Sequence, residues 1–346
     1  MKVLTFFNNK GGVGKTTIAC NVASIFATEF NKRVAFIDCD PQCNSTQLIA
    51  GQELAIAIYD DETVSRNTTL LKAIRPLEAG DPEPDMNIPL IRAHENRFGV
   101  DLLPGHPRLS VIEDRLSTAW GNVTAGKVEG FRINNWLNKI CQGQFAEYDY
   151  VFIDVGPSLG SINRSVLLAS DYFVAPMGCD IFSLIGIRNI GKWLEEWTRL
   201  YQIGVRTANE LNPGILDEYH ILQEPKTSNA FIGFTIQQYI TKQVAGVRRA
   251  TDAYEEILAR IPTEISAELG NFFPENLSIE AATLGDIPYM YSLVPLSQTA
   301  AAPIHALRSA DGIRGSRYTQ TTQYKEIITS VAAKIRDNIS LRNQND

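Results

Sequence analysis

One stretch constrains this chain more than any other: Asn8-Asn9-Lys10-Gly11-Gly12-Val13-Gly14-Lys15-Thr16-Thr17. It follows the apolar run Val3-Leu4-Thr5-Phe6-Phe7 and leads straight into a helical pattern beginning at Thr16. Strand, glycine-rich turn and helix, in that order, are the setting in which a phosphate-binding loop works. Backbone without Cβ atoms can wrap round phosphate oxygens and turn its N–H groups inward. The helix start adds unpaired N–H groups and the positive end of its dipole. Lys15 is placed to reach the β- and γ-phosphates, and the Thr16 hydroxyl is the natural ligand for Mg²⁺. A plain glycine turn would not need so many specified residues in this context, so nucleotide binding is expected.

The common pattern is G-x-x-x-x-G-K-[ST], and the departures from it carry information. Asn9 holds the first glycine position, and a second lysine, Lys10, heads the loop. In this form, K-G-G-V-G-K-T-T, the loop resembles the deviant Walker A motif of the ParA/MinD/Soj family of P-loop ATPases. The resemblance implies ATP and Mg²⁺ as cofactors, held by Lys10, Gly11, Gly12, Val13, Gly14, Lys15, Thr16 and Thr17. It also implies that Lys10 reaches across a homodimer interface to the nucleotide of the other subunit.

Arg33-Val-Ala-Phe-Ile-Asp38 reads as a second strand, apolar throughout its centre as a parallel strand buried on both faces is. Strand, helix and strand are complete within the first 40 residues. The following Asp38-Cys39-Asp40-Pro41-Gln42 puts two carboxylates at a strand's carboxyl end, where open α/β sheets bind ligands. This D-x-D-P-Q run resembles the family's switch I, which implies that Asp40 orients the attacking water and helps hold hydrated Mg²⁺. Further on, Tyr148-Asp149-Tyr150-Val151-Phe152-Ile153-Asp154 is an apolar strand ending in one Asp, the Walker B arrangement. Its carboxylate is a candidate to hold Mg²⁺ indirectly, from behind the ligating groups or through water. The loop after it resembles switch II, with Gly156 where many relatives have proline. That glycine predicts a looser turn. By the same resemblance, Gln237 or Gln238 stands at the edge of the base pocket and Pro295 lines it.

The fold class expected is α/β: a single doubly wound, mostly parallel sheet flanked by helices, the P-loop NTPase fold of the deviant Walker A class. One domain over residues 1–346 accounts for the length, with insertions at about 51–99 and 201–230. The latter is read as a surface loop. A helix is expected from Arg248-Arg249 to about Ala259, a final strand over Ile287–Pro295, a basic loop over 308–325 and a last helix over 323–339. Trp193 and Trp197, four residues apart in a long helix, read as packing.

Composition excludes little. A 44% hydrophobic and 21% charged chain is an ordinary globule. No run of roughly 18 apolar residues is present, which with the immediate start of the first strand predicts a cytoplasmic protein. Five scattered cysteines and four scattered histidines have no zinc-site spacing. A net charge of −7 argues against whole-surface affinity for nucleic acid but leaves room for a local basic patch.

The function implied by the resemblance is a ParA-like switch. It dimerises with ATP, binds non-specific DNA, hydrolyses ATP under stimulation by a partner protein, and so positions DNA or another cargo; nucleoid association would follow. Candidate DNA contacts are Arg248, Arg249, Arg308, Arg314 and Arg317. The alternative is a regulatory ATPase switch acting on a dedicated protein partner without DNA. A MinD-like membrane association ranks below both, because the C-terminal Ser340–Asp346 lacks a basic, aromatic foot.

Overall fold

The structure is a computed structural model describing residues 1–60, 68–237, 241–244, 247–250, 252–290 and 292–342. Its strands are β1 (Lys2–Phe6), β2 (Val34–Asp38), β3 (Asp101–Leu103), β4 (Tyr150–Asp154), β5 (Tyr172–Gly178), β6 (Phe231–Gln237), β7 (Thr241–Val244), β8 (Val247–Ala250) and β9 (Thr283–Ile287). Seven of them form one sheet in the order β3-β2-β4-β1-β5-β6-β9, and every pairing in it is parallel. β7 and β8 pair antiparallel as a separate hairpin. The expected doubly wound sheet is what the chain forms.

Among the described residues, fourteen α-helices connect and cover these strands. They are α1 (Lys15–Thr28), α2 (Asn44–Ala50), α3 (Gln52–Tyr59), α4 (Leu70–Glu78), α5 (Ile112–Thr124), α6 (Val128–Asn134), α7 (Trp136–Gln144), α8 (Ser161–Ala169), α9 (Ile181–Leu211), α10 (Ile215–Glu218), α11 (Asp252–Leu269), α12 (Ile279–Ala282), α13 (Leu293–Ala300) and α14 (Ser316–Arg342).

Side chains alternate along each strand, so the sheet feeds two cores. Leu4, Phe6, Phe36, Phe152 and Val174 pack with α1 and α14 on one face. Val3, Ile37, Val151, Ile153 and Phe173 pack with α4, α5, α7, α8, α9 and α11 on the other. On α1, Phe26 meets Tyr150 and Phe152 edge-on at 4.8 and 5.2 Å between ring centroids, contacts each worth roughly 0.5–1.5 kcal/mol beyond area burial. On α14, Tyr324, Ile328, Val331, Ile335 and Ile339 are all buried against the sheet, each contributing about 1.5–3 kcal/mol. That leaves this amphipathic face occupied by the protein itself, not offered to a bilayer. Among the described residues no helix is long and apolar enough to cross a membrane.

Four expectations are corrected. The supposed loop over 201–230 begins as helix, since α9 runs 31 residues to Leu211 with Tyr201, Val205 and Ala208 buried. The helix expected at Arg248-Arg249 is strand β8, and α11 starts at Asp252. The strand expected over 287–295 ends at Ile287, and Pro295 sits in the first turn of α13, where its missing N–H costs nothing. The basic loop over 308–325 is instead a short 3₁₀ turn, Ser309–Asp311, followed by α14 from Ser316.

Candidate nucleotide site

The glycine-rich loop joins β1 to α1 at the carboxyl edge of the sheet. Gly12 and Gly14 have φ of +74° and +71°, the left-handed region that an L side chain rarely adopts. Space forbids a side chain at Gly14 as well, since a Cβ there would lie 2.5 Å from the Gln237 amide Nε2. Asn8 fastens the loop to the sheet: its Nδ2 donates to the Pro176 carbonyl at 2.6 Å, and its Oδ1 accepts from Lys10 N at 2.9 Å.

Lys15, Thr16 and Asp154 converge. The Lys15 ammonium donates to Asp154 Oδ1 at 3.0 Å and to the Val155 carbonyl, and the Thr16 hydroxyl donates to Asp154 Oδ2 at 2.7 Å. Lys15 and Asp154 are both buried, and such a pair holds its geometry because neither charge has water to turn to.

Asp38 and Asp40 divide differently from what their shared motif suggests. Asp38 is wholly buried and accepts from Asp40 N at 3.1 Å, Thr46 N at 2.9 Å and Thr46 Oγ1 at 2.6 Å. Burial, reinforced by the neighbouring Asp154 carboxylate, pushes its pKa up to about 7. Its work is to hold the loop that presents Asp40. Asp40 accepts from Gln42 N at 2.9 Å and borders the phosphate cavity. Burial raises its pKa as well, with Lys15 pulling the other way.

Gly156 lies against this carboxylate: a Cβ there would be 3.2 Å from Asp40 Oδ1. Where the sequence suggested a looser turn, Asn163 Nδ2 donates to the Gly156 and Ser158 carbonyls, each at 2.7 Å. Glycine at this position makes room for Asp40, and Asn163 ties the loop to the start of α8.

Two cavities meet at the loop. One, of about 290 Å³, is lined by Lys10 through Thr17 with Asp40, Gln42, Asn44, Pro157 and Gln298. The other, of about 160 Å³, shares Gly12, Gly14 and Thr17 with it and is closed by Gln237, Pro288, Met290 and Tyr324. Gln238 lies outside the described residues, and Gln237, at the end of β6, lines this second cavity. Pro295 does not, because it is exposed on α13, and Pro288, directly after β9, lines the cavity in its place. Reading β9 too long displaced the proline by two turns of chain. Gln298, on α13, carried no sequence signal.

Lys10 has a different partner from Lys15. Its ammonium pairs with Asp180, the residue that caps α9 by accepting from Ser183 N at 3.0 Å. Partial burial works upward on Asp180, but the Lys10 hydrogen bond and charge hold its carboxyl below the ordinary value. Beside the pair, Ile181, Phe182 and Ile185 are 48%, 67% and 45% exposed. An apolar step next to a half-exposed lysine is unusual on an open surface.

Arg308 and Arg314 are exposed, and Arg317, in the first turn of α14, donates to the Gly312 carbonyl at 3.3 Å. Arg248 and Arg249 lie on β8. All five cysteines are buried and free. Among the described residues no three His, Cys, Asp or Glu side chains are arranged to hold a metal ion.

Comparison with known proteins places the chain. The AAA_31 family model, described as an AAA domain, matches residues 1–204. A crystal structure of a protein from Corynebacterium diphtheriae is 30% identical with a TM-score of 0.72, over 98% of this chain and 99% of that one. The chromosome partitioning protein ParA of Myxococcus xanthus is 32% identical over 189 residues, 55% of this chain and 56% of that protein. The Cyanothece McdA(D38A)–ATP complex shares the fold at 15% identity, with a TM-score of 0.57 over 98% of this chain and 96% of that one. The chain belongs to the ParA-type family of P-loop ATPases. It covers between 49% and 66% of the length of the curated relatives that it matches.

Proposed function

We propose that this protein is an ATP-dependent switch that binds Mg²⁺-ATP as a monomer, pairs with a second copy, and hydrolyses the nucleotide to part again. The observation that carries the reading is the division between the two loop lysines. Lys15 is buried on Asp154 at the floor of the phosphate cavity, whereas Lys10 stands half-exposed at its rim beside Ile181, Phe182 and Ile185. A cation at the rim, next to an apolar step, suits delivery to a phosphate bound in another subunit. There it stabilises transition-state charge as an arginine finger does.

Mg²⁺ fits the donors present. Hard oxygen groups, the Thr16 hydroxyl with Asp154 and Asp40, stand beside the cavity, and this ion typically takes one or two carboxylates and completes its shell from phosphates and water. When bound it would neutralise phosphate charge, while Asp40 would orient the attacking water. Gln237 and Pro288 would receive the base. Non-specific DNA is the proposed track, contacted by Arg248, Arg249, Arg308, Arg314 and Arg317, with a partner protein stimulating hydrolysis.

The test is DNA retention by the Asp40→Ala protein with ATP, ADP or no nucleotide, across a salt series. Retention with ATP alone, falling steeply with salt, is expected. Salt-insensitive retention, or none in any state, would remove DNA as the track and favour a dedicated protein partner.

A further inference from the structure

A second concave site lies away from the nucleotide loop, where α3, α4 and the turn after β3 come together. It is a cavity of about 210 Å³. Buried Ile58, Thr69 and His106 contribute to its lining, and so do Lys72, Arg75 and Arg108. Among the described residues lining it, the one carboxylate is Glu78. None of the three cations has an ion-pair partner among the described residues. In a chain of net charge −7 with carboxylates to spare, three cations gathered round one depression with no ion-pair partner among the described residues need an explanation. Lys72 and Arg75 stand three residues apart on α4, where like charges repel.

Burial of Thr69 and His106 adds polar side chains to that charge, the His106 Nδ1 already accepting from Arg108 N at 3.1 Å. The Thr69 side chain already accepts from Lys72 N at 3.3 Å, which caps α4 and leaves its hydroxyl proton to donate elsewhere. Guanidinium forks match phosphate oxygens two at a time, and an ammonium completes the shell as a point charge. The cavity is concave and too small for a duplex, which asks for an extended surface.

We propose that this cavity is a binding site for a small phosphate-bearing anion, distinct from the nucleotide site. Its place in the fold gives it consequence. His106 lies edge-on to Tyr59 at 5.7 Å between ring centroids. Next to it, Gly105 N donates to Thr46 Oγ1 at 2.9 Å, and that hydroxyl donates to Asp38, the group that holds the Asp40 loop.

The experiment titrates inorganic pyrophosphate into the full-length protein saturated with Mg²⁺-ADP, so that the glycine-rich loop is already filled, with heat of binding as the readout. One site per chain is expected. Arg75→Gln and Arg108→Gln should each weaken it by roughly tenfold, the equivalent of one lost hydrogen bond to a charged group, with ADP affinity unchanged as the control for folding. Pyrophosphate binding that survives both substitutions, or no binding to the ADP-filled protein, would overturn the proposal. So would retention of a short DNA duplex, but not pyrophosphate, through the same two arginines.

Discussion

Removing the Lys15 side chain should cost this protein stability even with no nucleotide present. The Lys15 ammonium and Asp154 carboxylate stand 3.0 Å apart, with side-chain exposures of 7% and 0%. At an effective dielectric constant of ~20 the gross attraction at that distance is about 5 kcal/mol, largely offset by the desolvation of both groups. Truncating one partner removes the attraction and keeps the other's desolvation. Lys15→Ala should therefore destabilise the apo protein by roughly 3–5 kcal/mol. Asp38 lies beside Asp154 in the strand register and adds to the burden on the stranded carboxylate. Asp154→Asn should cost less, because the Val155 carbonyl still accepts from the ammonium. The double variant, with neither charge, should be more stable than the sum of the singles predicts, by about 2 kcal/mol or more. Urea denaturation of the four apo proteins measures all these quantities. Additivity within about 0.5 kcal/mol would show that the pair is not coupled and would refute the reasoning.

Three further outcomes follow from the same geometry. Asp38 has a pKa raised from 3.8 to about 7, so its contribution to stability is full below the lower value and lost as pH rises through the higher one. The stability of Asp38→Asn relative to wild type should then climb by about 1.4 kcal/mol per pH unit across that window and level off above it, as urea midpoints at a series of pH values would record. A Cβ at Gly204 would sit 2.0 Å from the Val123 carbonyl oxygen; Gly204→Ala should destabilise by about 1–3 kcal/mol, visible as a lowered thermal midpoint. Gly156→Ala, whose Cβ would press on Asp40 at 3.2 Å, should slow ATP turnover while leaving nucleotide affinity unchanged, which separate hydrolysis and binding assays would distinguish.

What the sequence made legible was whatever a short, local pattern specifies. The loop from Asn9 to Thr17 and the strands ending at Asp38 and Asp154 could be placed because apolar runs terminate there in residues that a buried strand would not otherwise carry. Less local features were misread for identifiable reasons. Asn212-Pro-Gly, Glu224-Pro-Lys and weak periodicity suggest a loop over 201–230, whereas the last turns of α9 are held by the burial of Tyr201, Val205 and Ala208. The start of α14 has almost no buried residues before Tyr324; it is held by local bonds from Thr321 Oγ1 to the Arg317 carbonyl and Thr322 Oγ1 to the Tyr318 carbonyl. Periodicity could not report a helix with no face to bury. Asp180 as the partner of Lys10 depends on a contact between distant stretches of chain, and Asn163 as the clamp on the loop after β4 depends on how α8 folds back on that loop; neither left a trace in spacing.

The most direct measurement is the solution mass of the Asp40→Ala protein with ATP and with ADP, alongside Lys10→Ala in the same background. The account predicts a dimer with ATP, a monomer with ADP, and a weakened dimer once Lys10 is removed. A monomer in both nucleotide states, or a dimer indifferent to Lys10, would contradict it.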